Sequence, residues 1–351
     1  MKKNKIIIIS IILIIIFMNP KTINNIKSKI NNSKVNIEEK KEISYGYSSD
    51  TSFIEYRDGF LMYDGKSLKY IDNEAQREFD LNIRVENYSI DTNNSNIYLL
   101  DKIKKEVYII DKKGSLTNKV NIKENALMIK ALYNDDFLIH YTTDVDVEGV
   151  KLYSYKGKEI QDISIPQITI NLVDVDKDAS NFVISGISIK DDRLYNNIFY
   201  YNKKGELIFS YNIENKVFVK TMFLDDKLVL VDPKYIEIKD LDNEKVKKIN
   251  LDEEIQYIDI INDEIVVIDS NKNVIYIDKV GKEKNKEYDI KNIKGIKNIE
   301  NQNIVYTDRS IYLPKNKEKK DFTKDILDVF TIHDNRVIVV FRGYVKFLSI
   351  D

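Results

Sequence analysis

The stretch VYIIDKKGSL, residues 107–116, returns with small changes as IFYYNKKGELI at 198–208 and as VIYIDKVG at 274–281. Each copy is an apolar, Tyr-bearing run closed by Asp or Asn, then Lys and Gly. A second element recurs beside it, about four apolar residues introduced by a polar turn and often ended by Asp: DGFLMYD (58–64), SNIYLLD (95–101), DDKLVLVD (225–232), NDEIVVID (262–269) and NQNIVYTD (301–308). Looser copies are DDFLIHY (135–141), SNFVISG (180–186) and DNRVIVVF (334–341). Their first apolar residues are Phe60, Ile97, Phe137, Phe182, Leu228, Ile265, Ile304 and Val337, spaced 33 to 46 residues apart. A period of that length marks a repeat architecture.

Within each copy the apolar run is followed by a hairpin, a Tyr-rich strand, and a strand alternating polar and apolar, such as NKVNI (118–122) or FSYNI (209–213). A further short strand, such as VENYSID (85–91), leads into the next copy. Four strands per forty residues or so is the blade of a β-propeller. A strand covered on both faces by neighbouring blades should be continuously apolar, and a half-solvated outer strand should alternate. Gly114, Gly157, Gly205 and Gly281 mark the turn into the outer strand, where positive φ suits glycine. The sequence therefore predicts an all-β fold, a propeller of eight four-stranded blades, with seven as the alternative if one weak copy is irregular. YVKFLSID (344–351) is a third strand with nothing after it. Counting back from Phe60 places the missing outer strand at 43–46, so an N-terminal strand is expected to complete the last blade and close the ring, removing an exposed sheet edge.

The front of the chain follows a different rule. MKKNK precedes thirteen residues, 6–18, that are apolar except for Ser10. A basic head and an apolar run match the first two parts of a secretory signal, but no small-residue cleavage site follows. An uncleaved signal anchor or transmembrane helix is expected, with 1–5 cytoplasmic and the remainder exported; secretion after cleavage is the alternative. Thirteen residues fall short of a ~30 Å hydrocarbon core, and snorkelling lysines or bilayer thinning would close the gap. Residues 19–39 read as a polar linker, although Ile23, Ile26 and Ile30 with intervening lysines could form a short basic surface helix. Residues 40–351 form the propeller domain.

Composition excludes several function classes. The 55 Lys plus Arg nearly balance 57 Asp plus Glu, so no large positive field exists for nucleic acid. Cysteine is absent, which removes disulfides, thiolate metal sites and thiol nucleophiles. No phosphate loop, zinc motif or nucleophile elbow appears. The chain resembles the membrane-anchored, quinoprotein-like or WD-like propellers of low-GC Gram-positive bacteria, generally families of unknown function, over residues 40–351. It lacks the Trp docking residues and vicinal Cys pair of enzymatic quinoproteins, which argues against a quinone cofactor, and it carries neither WD nor Asp-box signatures.

Only two histidines exist, His140 within a strand and His333 in a polar turn, and nothing places them with a third catalytic or ligating group. DVDVEG (144–149) matches the first half of a calcium loop, but position twelve is Tyr155 where a bidentate Glu is required. No cofactor is expected, calcium being the alternative. The repeat swells at 142–149 and 190–197, in hairpins that neighbouring blades would present on one face, and long loops on a rigid scaffold are common binding sites. Asp144, Asp146, Glu148, Asp191, Asp192 and Arg193 are therefore expected to rim a partner site, the plain alternative being drifted surface hairpins. The sequence reads as a non-catalytic, monomeric binding or scaffold protein of the cell envelope, held at the membrane, with another envelope protein as partner. A glycan-binding or glycan-active protein is the alternative.

Overall fold

The computed structural model describes residues 36–46, 48, 51–133, 135–145, 147–176, 180–243, 245–300, 302–332 and 335–350. Among these residues the regular elements are 32 strands, β1 to β32 in chain order, paired into eight antiparallel four-stranded sheets. The eight-bladed reading holds and the seven-bladed alternative falls. Blade 1 comprises β2 to β5, between Ser52 and Asn82, and six further blades repeat the plan up to β29, which ends at Asp321.

The repeated motifs occupy the expected places. The continuous apolar runs are the second strands, as in β3 (Gly59–Tyr63), where every residue is buried. The outer strands alternate, as in β17 (Leu207–Glu214). Gly114, Gly157, Gly205 and Gly281 all take φ of 78 to 80° in the turns between third and fourth strands. Those turns also press on the preceding blade: a Cβ on Gly114 would meet the Phe79 ring at 2.5 Å, and one on Gly157 would meet Val120 at 2.7 Å. Glycine is thus required there by backbone conformation and by close approach together.

Blade 8 is β30 (Ile326–Ile332), β31 (Arg336–Phe341), β32 (Tyr344–Ile350) and, as its outer strand, β1 (Ile37–Ser44). Ile37 pairs with Ile350 and Ser44 with Tyr344. The strand begins earlier than the counted position at 43–46, because β32 offers partners down to Ile350. It reaches into the last residues of the 19–39 segment. The 6–18 apolar run lies outside the described residues, as does most of that segment.

The core is divided among eight clusters, each filling the space between two consecutive sheets. Tyr98, Leu100 and Val107 of blade 2 meet Phe137, Ile139 and Tyr153 of blade 3. Phe60 and Met62 of blade 1 meet Ile338, Val340 and Phe347 of blade 8. Every sheet is therefore apolar on both faces, the physical reason for the continuous apolar second strands.

Candidate functional site

Strand direction defines two faces. Turns between the second and third strands of every blade share one face with the connections to the next blade. Turns between first and second, and between third and fourth, share the other. The two swollen segments both join second to third strands, in blades 3 and 4, so the topology brings them to the same face on adjacent blades.

Their construction differs from the expected loops. In blade 4, β15 (Asn181–Lys190) and β16 (Arg193–Asn202) are paired along ten residues each. Only Asp191 and Asp192 turn, with φ of 50 and 59°, as a two-residue hairpin of the primed type requires. The extra residues lengthen the sheet instead of forming a loop. In blade 3, β11 (Phe137–Thr142) and β12 (Glu148–Tyr153) are joined by a short turn in which the Thr143 N–H donates to Val147 O at 2.9 Å.

The predicted residues divide accordingly. Asp191 and Asp192 are exposed, and Arg193 pairs with Glu214 at 3.3 Å. Asp144 accepts from Asn125 Nδ2 at 3.2 Å. Asp146 lies outside the described residues, as does His333. Glu148 faces inward: one carboxylate oxygen accepts the Ile170 N–H at 2.8 Å and lies 2.9 Å from His140 Nε2. It clamps blade 3 to the inner strand of blade 4, so it cannot serve as a rim residue or as the third ligand of a calcium loop. Among the described residues, no hydrogen bond or ion pair joins the 144–148 set to the 191–193 set.

Burial pushes the His140 imidazole below its ordinary pKa of 6.5, against the pull of Glu148. A base with a depressed folded pKa loses protons on folding, so its contribution to stability is intact above pH 6.5 and declines as pH falls toward the depressed value. The chain is expected to lose stability between pH 7 and 5, and His140→Gln to flatten that slope in urea titrations run at several pH values. An unchanged slope would mean that other groups govern the acid limb.

What the sequence reading missed on this face is apolar. Ile103, Val145 and Ile189 lie in or beside the second-to-third-strand turns of blades 2, 3 and 4, and are 64, 78 and 75% exposed. The available signal was an aliphatic residue inside charged turns, as in KIKK (102–105) and DVDV (144–147).

A second feature lies at the centre. The innermost strands are β2 (Ser52–Tyr56), β6 (Tyr88–Thr92), β10 (Asn125–Ala131), β14 (Thr169–Val175), β18 (Lys220–Leu224), β22 (Ile255–Ile261), β26 (Gly295–Ile299) and β30. Each carries a single charged residue: Glu55, Asp91, Lys130, Asp174, Lys220, Asp259, Lys297 and Asp328. From blade 2 to blade 8 the sign alternates. Lys130 pairs with Asp174 at 3.2 Å and Lys297 with Asp259 at 2.8 Å. The belt also satisfies free inner edges, since Asp91 accepts the Ala131 N–H at 2.9 Å and Lys220 donates to Ile258 O at 2.8 Å. Asp91 and Asp328 end the alternation on either side of blade 1. Burial pushes both carboxyls up, whereas at Asp259 burial is opposed by the Lys297 ammonium and by the Ile260 N–H and the Tyr257 hydroxyl, which together hold the group low. Five carboxylates against three lysines leave an excess of acid at Asp328, Glu55 and Asp91 on blades 8, 1 and 2, while the paired charges of blades 3 and 4 and of blades 6 and 7 tie adjacent inner strands together.

The sequence relationships fit this picture. A model described as "Family of unknown function (DUF5711)" matches residues 28–350. The chain belongs to that family. No curated protein matches it in sequence. The DUF5711 propeller is similar in fold to BamB from Moraxella catarrhalis, with a TM-score of 0.60 at 10% identity over 90% of this chain and 98% of that one. It is also similar to Saccharomyces cerevisiae Sqt1 (0.61, 10%, 88% and 98%). The Cps50 (Swd1) β-propeller domain of Myceliophteria thermophila gives 0.54 at 10% identity over 90 and 100%. At that identity the likeness is one of fold. The propeller resemblance read from the repeats is borne out, as is membership of a family of unknown function. Among the described residues no helix is long and apolar enough to cross a membrane.

Proposed function

We propose that this chain is a membrane-tethered, extracytoplasmic propeller that binds another protein of the cell envelope and performs no reaction of its own. The observation that carries the reading is the row of exposed Ile103, Val145 and Ile189 on three consecutive blades. Covering each of them with a partner would contribute on the order of 1.5 kcal/mol, and rigid hairpins hold them without loop-ordering costs. Ile37 pairs with Ile350 at the start of β1, so the chain enters on the opposite face. A tether formed by the preceding residues would then leave the three aliphatic tips pointing away from the membrane. The basic head and apolar run of residues 1–18 support the tether and the export.

The test is crosslinking in intact cells with mass spectrometry, comparing the native chain with a Val145→Asp/Ile189→Asp variant. The variant is expected to keep its thermal midpoint, because both side chains are exposed, and to lose its main crosslinked envelope protein. An unchanged crosslink pattern would end this assignment of the face.

A further inference from the structure

The repeat breaks once where its spacing gave no warning. In blade 6 the outer strand β25 (Glu283–Asn285) has three residues, against four to eight in the other blades, and nine residues rather than three to seven then lead to β26. This connection is fixed in place. Ile290 and Ile293 enter the core between blades 6 and 7. Tyr288 OH lies 2.7 Å from Tyr276 OH, and Asn303 Nδ2 of blade 7 donates to both hydroxyls, at 2.9 and 3.3 Å. Lys286 lies over both rings, 5.0 and 5.2 Å from their centroids.

The truncated strand leaves two adjoining hollows of about 440 and 330 Å³ that share Asn273 and Asn285. Asn250 and Asn271 line the smaller one. Asn250, Asn271 and Asn285 make no side-chain hydrogen bond to any described residue, and Asn273 uses only its amide nitrogen in a side-chain bond, toward Asp269 Oδ2 at 2.8 Å. Four amides on one wall offer both donors and acceptors, which suits hydroxyl groups that both give and accept. Six carboxylates and two lysines line the same hollows, a balance that repels polyanions and lets carboxylates accept from neighbouring hydroxyls. The volumes fall in the range of small-ligand clefts.

We infer that this groove on blades 5 and 6 binds a polyhydroxylated, non-anionic ligand, a segment of neutral oligosaccharide. It lies on the same face as the protein-docking tips of blades 2 to 4 but on other blades, and does not depend on them.

The full-length chain in detergent would be titrated calorimetrically with chitotetraose, cellotetraose and maltotetraose, and with polygalacturonate as a polyanion. Saturable binding of at least one neutral oligosaccharide is expected, with little or none of the polyanion. Asn271→Ala and Asn285→Ala are each expected to weaken it about fivefold with the thermal midpoint unmoved, since neither amide has an internal partner. Val145→Asp/Ile189→Asp should bind as the native chain does, so failure of the docking face and failure of the groove are distinguishable. The inference is overturned by absence of saturable binding up to about 10 mM, by tighter binding of the polyanion, or by full affinity in an Asn271→Ala/Asn285→Ala double variant.

Discussion

A chain that starts at Tyr45 is expected to unfold far more easily than one that starts at residue 36, because it lacks the outer strand of blade 8. Removing β1 leaves the third strand of that blade as an open edge over seven residues, from Tyr344 to Ile350. Ile37 leaves the cluster between blades 7 and 8, and Ile43 leaves the one between blades 8 and 1. Lys346 loses Glu39 at 2.8 Å and Glu42 at 3.3 Å. The lost burial and pairing should sum to about 5 kcal/mol or more, comparable with the whole stability of a typical domain. Tyr45 is kept in the shorter version so that its hydroxyl still donates to Phe341 O at 2.6 Å. Urea unfolding followed by circular dichroism gives the answer. Superimposable midpoints would show that β1 adds nothing to the fold, whereas loss of a cooperative transition would show that the seam between first and last blades depends on it.

The second large effect is expected at Lys151, inside blade 3. Its side chain is 8% exposed, with Nζ at 2.7 Å from Glu124, 3.0 Å from Glu159 and 3.3 Å from Asp162. The ammonium also lies 5.6 Å from the centroid of the Tyr141 ring, whose hydroxyl donates to Asp162 at 2.6 Å. Burial works against this charge, but Glu124 and Glu159 outweigh it and hold the lysine above its usual range. With a raised folded pKa the contribution is complete below the ordinary lysine value and is lost only in strong alkali. Lys151→Met leaves three carboxylates facing one another. Breaking a buried ion network typically costs 3–5 kcal/mol, and because Glu159 and Asp162 are partly solvated the lower end, about 3 kcal/mol, is expected here. The deficit should shrink as pH falls toward 4, when the abandoned carboxylates take up protons. A loss that is the same at pH 7 and pH 4 would assign it to packing and not to charge.

The two predictions concern residues of different legibility. That a strand must complete the last blade follows from the unpartnered strand at 344–351 and from strand counting, although its starting residue does not. Lys151 lies in an apolar third strand, and its charge alone gives no hint that three carboxylates, two from the outer strand of its blade and one from the connection into its first strand, surround it. Glu148 shows the same limit in the opposite direction. In sequence it is one acid of an acidic hairpin, yet its carboxylate turns inward to His140 and the Ile170 N–H. Asp191 and Asp192 do sit at a second-to-third-strand turn, but the extra residues around them extend the sheet because a two-residue turn was sufficient.

The repeat, the order of strands within a blade and the glycine turns were legible in local pattern, and the eight-bladed count was favoured over seven by it. These features rest on local rules: alternation on a half-solvated strand, continuous apolarity on a doubly covered one, and positive φ at a tight turn. Which charges meet became visible once the blades were packed. The alternating belt from Asp91 to Asp328 takes one residue from each of seven strands spread over more than two hundred residues of chain. The groove on blades 5 and 6 exists because one outer strand stops early while its apolar spacing stays regular. Coulombic partnership and concavity depend on distance through space, and distances between strands of different blades are set by packing that no local pattern encodes.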